Sequence, residues 1–289
     1  MALKGKAPVE KTQGKAKICI FSKSGIGKTW FSLDFPKCYY FDTENGADKA
    51  HYQKKLASSG GVYFGVKDGS LDFPTVINEL KELSKGGHDF RTVCIGSVTK
   101  LWQIAIANEQ ERLGERDQFG ASKKPAIAYM RQLVNWIHRI DMNVVFEAHE
   151  IGEWAMVGKE RQEVGQVPDV WDKLPYELDL VLRIIRAGDK RIFQVKKSRL
   201  TGFPETETFP AEFSEFAQRY GIDYINGDCM PLALATPEQV NEISEILKTI
   251  RIDEKEIERI LTKAQAATWA DVSEADAVKI IKSLKGKIK

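Results

Sequence analysis

The sequence predicts an α/β protein, a mostly parallel sheet flanked by helices, followed by a small separate helical unit. Three observations predict it. Continuous apolar runs such as Ile18-Cys19-Ile20-Phe21 and Thr92-Val93-Cys94-Ile95 are too short for helices and read as strands buried on both faces. The first run leads through Ser22-Lys23-Ser24-Gly25-Ile26-Gly27-Lys28-Thr29 into Trp30-Phe31-Ser32-Leu33, the strand, loop and helix context of a phosphate-binding loop. From Thr236 onward the composition changes to helix formers.

The chain has 289 residues, enough for one large domain and a small one. Its apolar content of 43% can bury a substantial core. The formal net charge is +2, so there is no global basic field and any nucleic-acid contact must come from local patches. Four scattered cysteines without a C-x-x-C pair read as small buried hydrophobes in a reducing compartment. No run reaches the length of a membrane span and the first residues lack a signal-peptide core, so a cytoplasmic protein with no membrane partner is expected.

Taken in order, residues 1–15 form a lysine-rich arm expected to be flexible, either a solvated tail or a contact to nucleic acid or a neighbouring subunit. The loop Ser22–Thr29 follows. Gly25 and Gly27 let successive N–H groups turn towards phosphate oxygens. Lys28 would reach the β- and γ-phosphates, and the Thr29 hydroxyl is placed to ligate Mg²⁺. ATP with Mg²⁺ is therefore the expected cofactor. The pattern G-x-x-x-x-G-K-[ST] departs once, with Ser22 at the first glycine. Next, Cys38-Tyr39-Tyr40-Phe41-Asp42-Thr43-Glu44 reads as a strand stopped by Asn45-Gly46. Ligands of open α/β sheets sit at carboxyl strand ends, so Asp42 is a candidate Mg²⁺ ligand and Glu44 a candidate activator of water. A solvated strand end is the alternative.

Val62–Val66 reads as a strand, and Phe73–Leu83 has helical spacing of Val76, Ile77, Leu80 and Leu83. The strand Thr92–Ile95 stands where a Walker B strand belongs, yet its terminal acid is replaced by Gly96. Helices are expected at 98–113 and 126–140. The loop between them carries Phe119, Lys123 and Lys124, either as a plain connection or as a contact to DNA phosphates and bases. Met142–Glu150 reads as a buried strand ending in polar residues. Glu147 and His149 alternate onto one side of it. An acid inside a strand is costly unless paired or near a metal, so Glu147 would replace the acid missing at Gly96 if the two strands are neighbours. His149 is either a structural histidine or a γ-phosphate sensor. Residues 151–175 show no period and read as a long irregular segment with Lys159 and Arg161. Leu178–Ile185 and Arg191–Arg199 read as a hairpin whose last residues include Lys197 and Arg199, either a solvated basic edge or cations for phosphate. A short helix spans Phe213–Tyr220.

The expected organisation is an arm at 1–15, a core at 16–230, a linker at 231–236 and a helical unit at 237–289. In the last, Thr236-Pro237-Glu238-Gln239 is a capping box with proline at the first helical position. Val278, Ile281 and Leu284 are expected inward on the third helix, and Trp269 in its core.

Together, Ser24–Thr29, Tyr40–Gly46, Ile95-Gly96-Ser97-Val98-Thr99, Phe146–His149 and Val195–Arg199 resemble the RecA-like ATPases over residues 16–205. Among these the chain is similar to the phage family of RecA-type single-strand annealing proteins, described generically as AAA-type ATP-binding proteins. The resemblance implies a RecA-like core with a late β-hairpin. It makes Glu44 the activator of the hydrolytic water and His149 the sensor. It maps the segments 114–125 and 151–170, with Lys123, Lys124, Lys159 and Arg161, onto two DNA-binding loops. It gives Lys197 and Arg199 a role at a neighbouring subunit's nucleotide. The function it implies is ATP-dependent recombination: a ring or filament on single-stranded DNA that promotes annealing or strand exchange. A single-strand-binding protein or nuclease would be the partner of the helical tail. Gly96 supports the other reading, a nucleotide-gated scaffold with little or no hydrolysis. A RecA-like ATPase acting on protein would be expected to carry duplicated domains, and no repeat is found.

Overall fold

The computed structural model describes residues 13–117, 120–250 and 252–287. Most of the basic arm, and Phe119, lie outside the described residues. The chain forms β1 (Lys17–Ser22), α1 (Lys28–Ser32), β2 (Cys38–Asp42), α2 (Ala50–Ser58), β3 (Val62–Gly65), α3 (Phe73–Ser84), β4 (Thr92–Gly96), α4 (Val98–Leu113) and α5 (Lys123–Arg139). These are followed by β5 (Asn143–Val157), β6 (Glu160–Pro168), α6 (Leu174–Glu177), β7 (Leu180–Ala187), β8 (Lys190–Ser198), β9 (Thr208–Pro210), α7 (Phe213–Tyr220) and α8 (Ile222–Asn226). The last part is α9 (Pro237–Thr249), α10 (Glu254–Lys263) and α11 (Glu274–Lys285).

The sheet order is β3-β2-β4-β5-β1-β7-β8-β9. The first six of these strands are parallel and the last two antiparallel, so this is the mostly parallel sheet with a late hairpin that the sequence predicts. Two strands, β5 and β4, separate the P-loop strand β1 from β2. Period-two alternation divides the core between the sheet faces. Cys19 and Phe21 join α3, α4 and α5 on one face. Ile18 and Ile20 join α1, α2, α7 and α8 on the other. The second face is aromatic: Phe216 lies 5.6 Å from both Phe31 and Phe35, and 5.5 Å from Phe203.

The segment 151–175 is not irregular. Strand β5 runs on past the sheet and folds back through β6 as a two-stranded arm. Its apolar residues Ile151, Trp154, Met156, Val157 and Val164 are all exposed. A ribbon wetted on both faces needs no alternation, and so shows no period. Helix α5 begins earlier than expected, so Lys123 and Lys124 sit exposed in its first turn and not in a loop.

The C-terminal helices have their own small core of Ile243, Ile246, Val272, Ala277, Ile281 and Leu284. Trp269 packs against it, while Val278 points outward and is 54% exposed. The inward stripe is therefore Ala277, Ile281 and Leu284: Ile281 and Leu284 face inward as expected, and Ala277 takes the place expected for Val278. The segment expected as a linker is extended and attached: Leu232 N–H donates to Ser84 O (2.7 Å) and Ala235 N–H to Val272 O (2.8 Å). Buried Asp271 receives Lys81 Nζ at 2.8 Å, and its carbonyl accepts from Arg139 Nη2 at 2.6 Å. These contacts fix the helical unit to α3 and α5. Among the described residues no helix is long and apolar enough to cross a membrane.

Phe216→Ala removes the ring at the centre of the aromatic face and is expected to cost roughly 3–5 kcal/mol in urea unfolding. Val278→Ala is expected to stay within about 0.5 kcal/mol of the parent.

Candidate nucleotide-binding site

The loop after β1 turns through two glycines in the left-handed region, Gly25 (φ 74°) and Gly27 (φ 113°). Ser22 at the first P-loop position needs no such conformation. It is buried at the end of β1, and its Oγ donates to Lys23 O at 2.8 Å. The side chains of Lys23 and Ser24 are exposed, whereas Ile26 packs on the core below and anchors the loop. Lys28 Nζ has only long contacts, to Ser22 O and Oγ (3.3 Å each) and Lys23 O (3.4 Å). Burial lowers its pKa, opposed by the charges of Glu147, Glu44 and Glu150. A partly desolvated ammonium, without an ion-pair partner among the described residues, borders a cavity of about 480 Å³ lined also by the loop, Glu44, Glu147 and His149. This is an anion site in charge and shape.

Strands β4 and β5 are neighbours, with Gly96 opposite Glu147. Glu147 is 2% exposed. Its Oε2 accepts from Thr29 Oγ1 at 2.8 Å, and its Oε1 accepts from Tyr40 Oη at 3.1 Å and from Cys94 Sγ at 3.6 Å. A Cβ on Gly96 would stand 2.1 Å from Tyr40 Oη and 3.4 Å from Glu147 Cδ. The space of the expected Walker B aspartate is thus already filled, and an acid from the next strand reaches the P-loop threonine. Burial raises the pKa of Glu147, and hydrogen bonds from Thr29 and Ser32 oppose it. A hydroxyl beside a carboxylate, facing a phosphate-sized cavity, is a hard oxygen donor set that fits Mg²⁺. Thr29 would hold the ion with Glu147 beside it, and bound Mg²⁺ would neutralise phosphate charge.

Glu44 and His149 meet at the cavity rim. His149 Nε2 donates to Glu44 Oε1 at 2.6 Å, and Ser97 Oγ donates to the same oxygen at 2.6 Å. The backbone N–H of His149 is held by Thr99 Oγ1 at 2.9 Å. The Gly-Ser-Val-Thr stretch after β4 therefore supplies both supports.

One expected site is corrected, and two expected residues have no place in the cavity of their own chain. Asp42 is 1% exposed and is not placed to meet a metal. Its carboxylate accepts the N–H groups of Glu44 (3.2 Å), Gly46 (3.1 Å) and Ala47 (2.7 Å), and the Tyr63 hydroxyl (3.0 Å). Those four donors use it to build the turn that carries Glu44. Lys197 and Arg199 lie at the wrong end of the sheet for the P-loop of their own chain. Strand β8 is antiparallel, so its last residues sit beside Leu180 and hence Ile18, where β1 begins. Lys197 donates to Leu178 O and Arg199 to Tyr176 O. The cation that does border the cavity is Arg191, at the start of β8, which no motif marks. His51 and Tyr52, on the unforeseen helix α2, border it as well. Lys159 and Arg161 stand at the tip of the arm, where the Arg161 guanidinium carbon lies 5.6 Å from the Trp154 ring centre.

Glu147→Gln tests the carboxylate in two ways. Between the ordinary carboxyl pKa and the raised one, the folded state holds a proton on Glu147 that the unfolded state has lost. Stability of the parent should therefore fall as pH rises from about 4.5 through the raised pKa. The variant should lack this fall and melt higher than the parent at about pH 7.5, with the difference vanishing in acid. Parallel melting profiles would contradict the assignment. Its Mg²⁺-dependent ATP affinity should drop roughly 10- to 100-fold.

Two solved structures are similar in fold: the RadB recombinase (15% identity, 68% of this chain and 86% of that one, TM-score 0.41) and a prototypical ATPase from the type III secretion system of pathogenic bacteria (14% identity, 96% and 82%, TM-score 0.39). No curated protein matches the sequence. Residues 14–211, which hold the whole sheet and every cavity residue named above, match the AAA domain family. The chain belongs to the AAA domain family, with a P-loop nucleotide-binding core.

Proposed function

We propose that this protein is an ATP-dependent DNA recombination protein. It assembles as a ring or filament on single-stranded DNA and promotes annealing or strand exchange, with hydrolysis stimulated by DNA. One observation supports this reading above others. The single strand Asn143–Val157 carries Glu147 and His149 at the nucleotide cavity and then Trp154, Met156 and Val157 on the solvent-exposed arm. One strand runs from His149 to the arm, with a single register shift between Glu153 and Trp154, so a change at His149 when phosphate arrives passes along one backbone segment to the arm. The arm offers a ring for stacking with bases, in Trp154, and cations for phosphates, in Lys159 and Arg161. Lys123 and Lys124 add a second exposed basic pair. In this reading Glu44 activates water, His149 senses the γ-phosphate, and Thr29 with Glu147 holds Mg²⁺. Lys197 and Arg199 remain candidates only for a neighbouring subunit, and the C-terminal helices for docking a single-strand-binding protein or nuclease.

One observation favours the scaffold reading. Glu44 Oε1 is held by both His149 and Ser97, which engages one oxygen of the carboxylate that would activate water. ATP would then order the arm without being turned over.

Hydrolysis with and without single-stranded DNA separates the two. Under the recombination reading DNA raises turnover, Lys28→Ala loses ATP binding, and Glu44→Gln binds ATP but does not turn it over. Trp154→Ala loses the DNA stimulation, and its affinity for single strands falls roughly tenfold or more. ATP binding without turnover at any DNA concentration selects the scaffold. Absence of DNA binding at low salt would sink both.

A further inference from the structure

Arg191, the second residue of β8, lies against the P-loop. Its Nη1 lies 2.8 Å from where a Cβ on Gly27 would stand, so the guanidinium rests directly on the loop backbone. The φ of 113° is what calls for glycine at position 27, and the absence of a Cβ leaves room for this approach. Two cavities meet there. One is the phosphate cavity of about 480 Å³, and the other is a neighbouring groove of about 350 Å³ walled by Phe31 and Phe213. Gly27, Trp30 and Arg191 border both.

The charge state of the hairpin is unbalanced at this end. Arg183, further along β7, is matched by Glu150 through two hydrogen bonds of 2.7 and 3.0 Å. Arg191 has no ion-pair partner among the described residues, and its cross-strand neighbour is another arginine, Arg186. Like charges directly opposite destabilise an antiparallel pair. An arginine placed on the P-loop glycine, with a like charge across the strand and no ion pair among the described residues although Asp34 and Glu212 line the same groove, is arranged for an external anion.

We propose that Arg191 is a nucleotide-binding residue acting in cis, whose guanidinium contacts the phosphate chain of a nucleoside triphosphate where it passes over Gly27. Its planar fork of donors matches phosphate oxygens, and it approaches from the side that Lys28 does not cover. Bound nucleotide then bridges the P-loop and the β7–β8 hairpin, which no direct ion pair joins at this point. The inference rests on the P-loop binding nucleotide and is independent of what the arm binds.

The test is calorimetric titration of MgATP into the full chain, for the parent, Arg191→Ala, Arg191→Lys and Lys28→Ala. The melting temperature of each without nucleotide verifies folding. Arg191→Ala is expected to weaken MgATP binding roughly 10- to 100-fold, with Arg191→Lys between it and the parent. Both should melt with the parent when nucleotide is absent. An Arg191→Ala chain that binds like the parent while Lys28→Ala does not would overturn the role of Arg191 and leave the P-loop reading standing. A parent that binds no MgATP would overturn both. Mixing Lys28→Ala with Arg191→Ala distinguishes cis from trans: turnover recovered in the mixture would place Arg191 at a neighbour's site and overturn the proposal, whereas none is expected.

Discussion

The site is organised by one constraint, the burial of a carboxylate inside a central parallel strand. An ionised carboxylate removed from water is expensive unless every oxygen is served. Glu147 meets this with donors from three other segments: Thr29 after the P-loop, Tyr40 on β2 and Cys94 on β4. Each of them must be in register. Glu147 stands opposite Ile20 on one side and Gly96 on the other. A slip of one residue in either pairing would turn the carboxylate to the opposite, wholly apolar face. The missing side chain at Gly96 belongs to the same constraint, because Tyr40 Oη and Glu147 occupy its place. What looks in sequence like a lost metal partner is a transfer of the acid from one strand to its neighbour.

This arrangement separates two jobs that often share one strand end. Glu147 faces Thr29, on the side where a cation would sit. Glu44 faces His149 and Ser97, at the open rim where a water would approach. His149 is two residues beyond Glu147, so the same alternation that aims one acid at the P-loop aims the imidazole at the other. The Asp42 carboxylate is engaged by four donors, and without them the turn bearing Glu44 would lack its internal scaffold.

How much of this was legible in the sequence follows from what each residue touches. Strands buried on both faces announce themselves as apolar runs, and the P-loop is spelled by backbone demands that only small residues satisfy. The pairing of a missing acid at Gly96 with an unexpected one at Glu147 was readable because burying a charge is costly wherever it occurs. The arm was not, since strand periodicity comes from having one dry face, and Ile151–Pro168 has none for most of its length. Asp42 was misjudged because a carboxylate that caps a local turn and one that meets a metal are the same letter at the same strand end. Lys197 and Arg199, expected at a neighbour's nucleotide, have no place at the P-loop of their own chain for a reason of direction. An antiparallel strand ends where its parallel neighbours begin, so the end of β8 lies far from the P-loop and its start lies upon it. That is why Arg191, unremarkable in sequence, borders the cavity.

The first helix shows how the core shapes phosphate binding. Helix α1 has only five residues, and Leu33 and Phe35 just beyond it are fully buried, drawn into the aromatic face with Phe31. Burying these side chains beneath the sheet ends the helix after little more than one turn. So short a helix sums few peptide dipoles, and its contribution to an anion at the N-terminus is correspondingly small. The positive potential over the loop must come from discrete groups: the N–H groups turned inward by Gly25 and Gly27, Lys28, and the guanidinium of Arg191. Discrete cations differ from a dipole in one respect that matters for a switch. They belong to different elements, so a bound anion draws the P-loop and the β7–β8 hairpin together, where a longer helix would have bound it within a single segment.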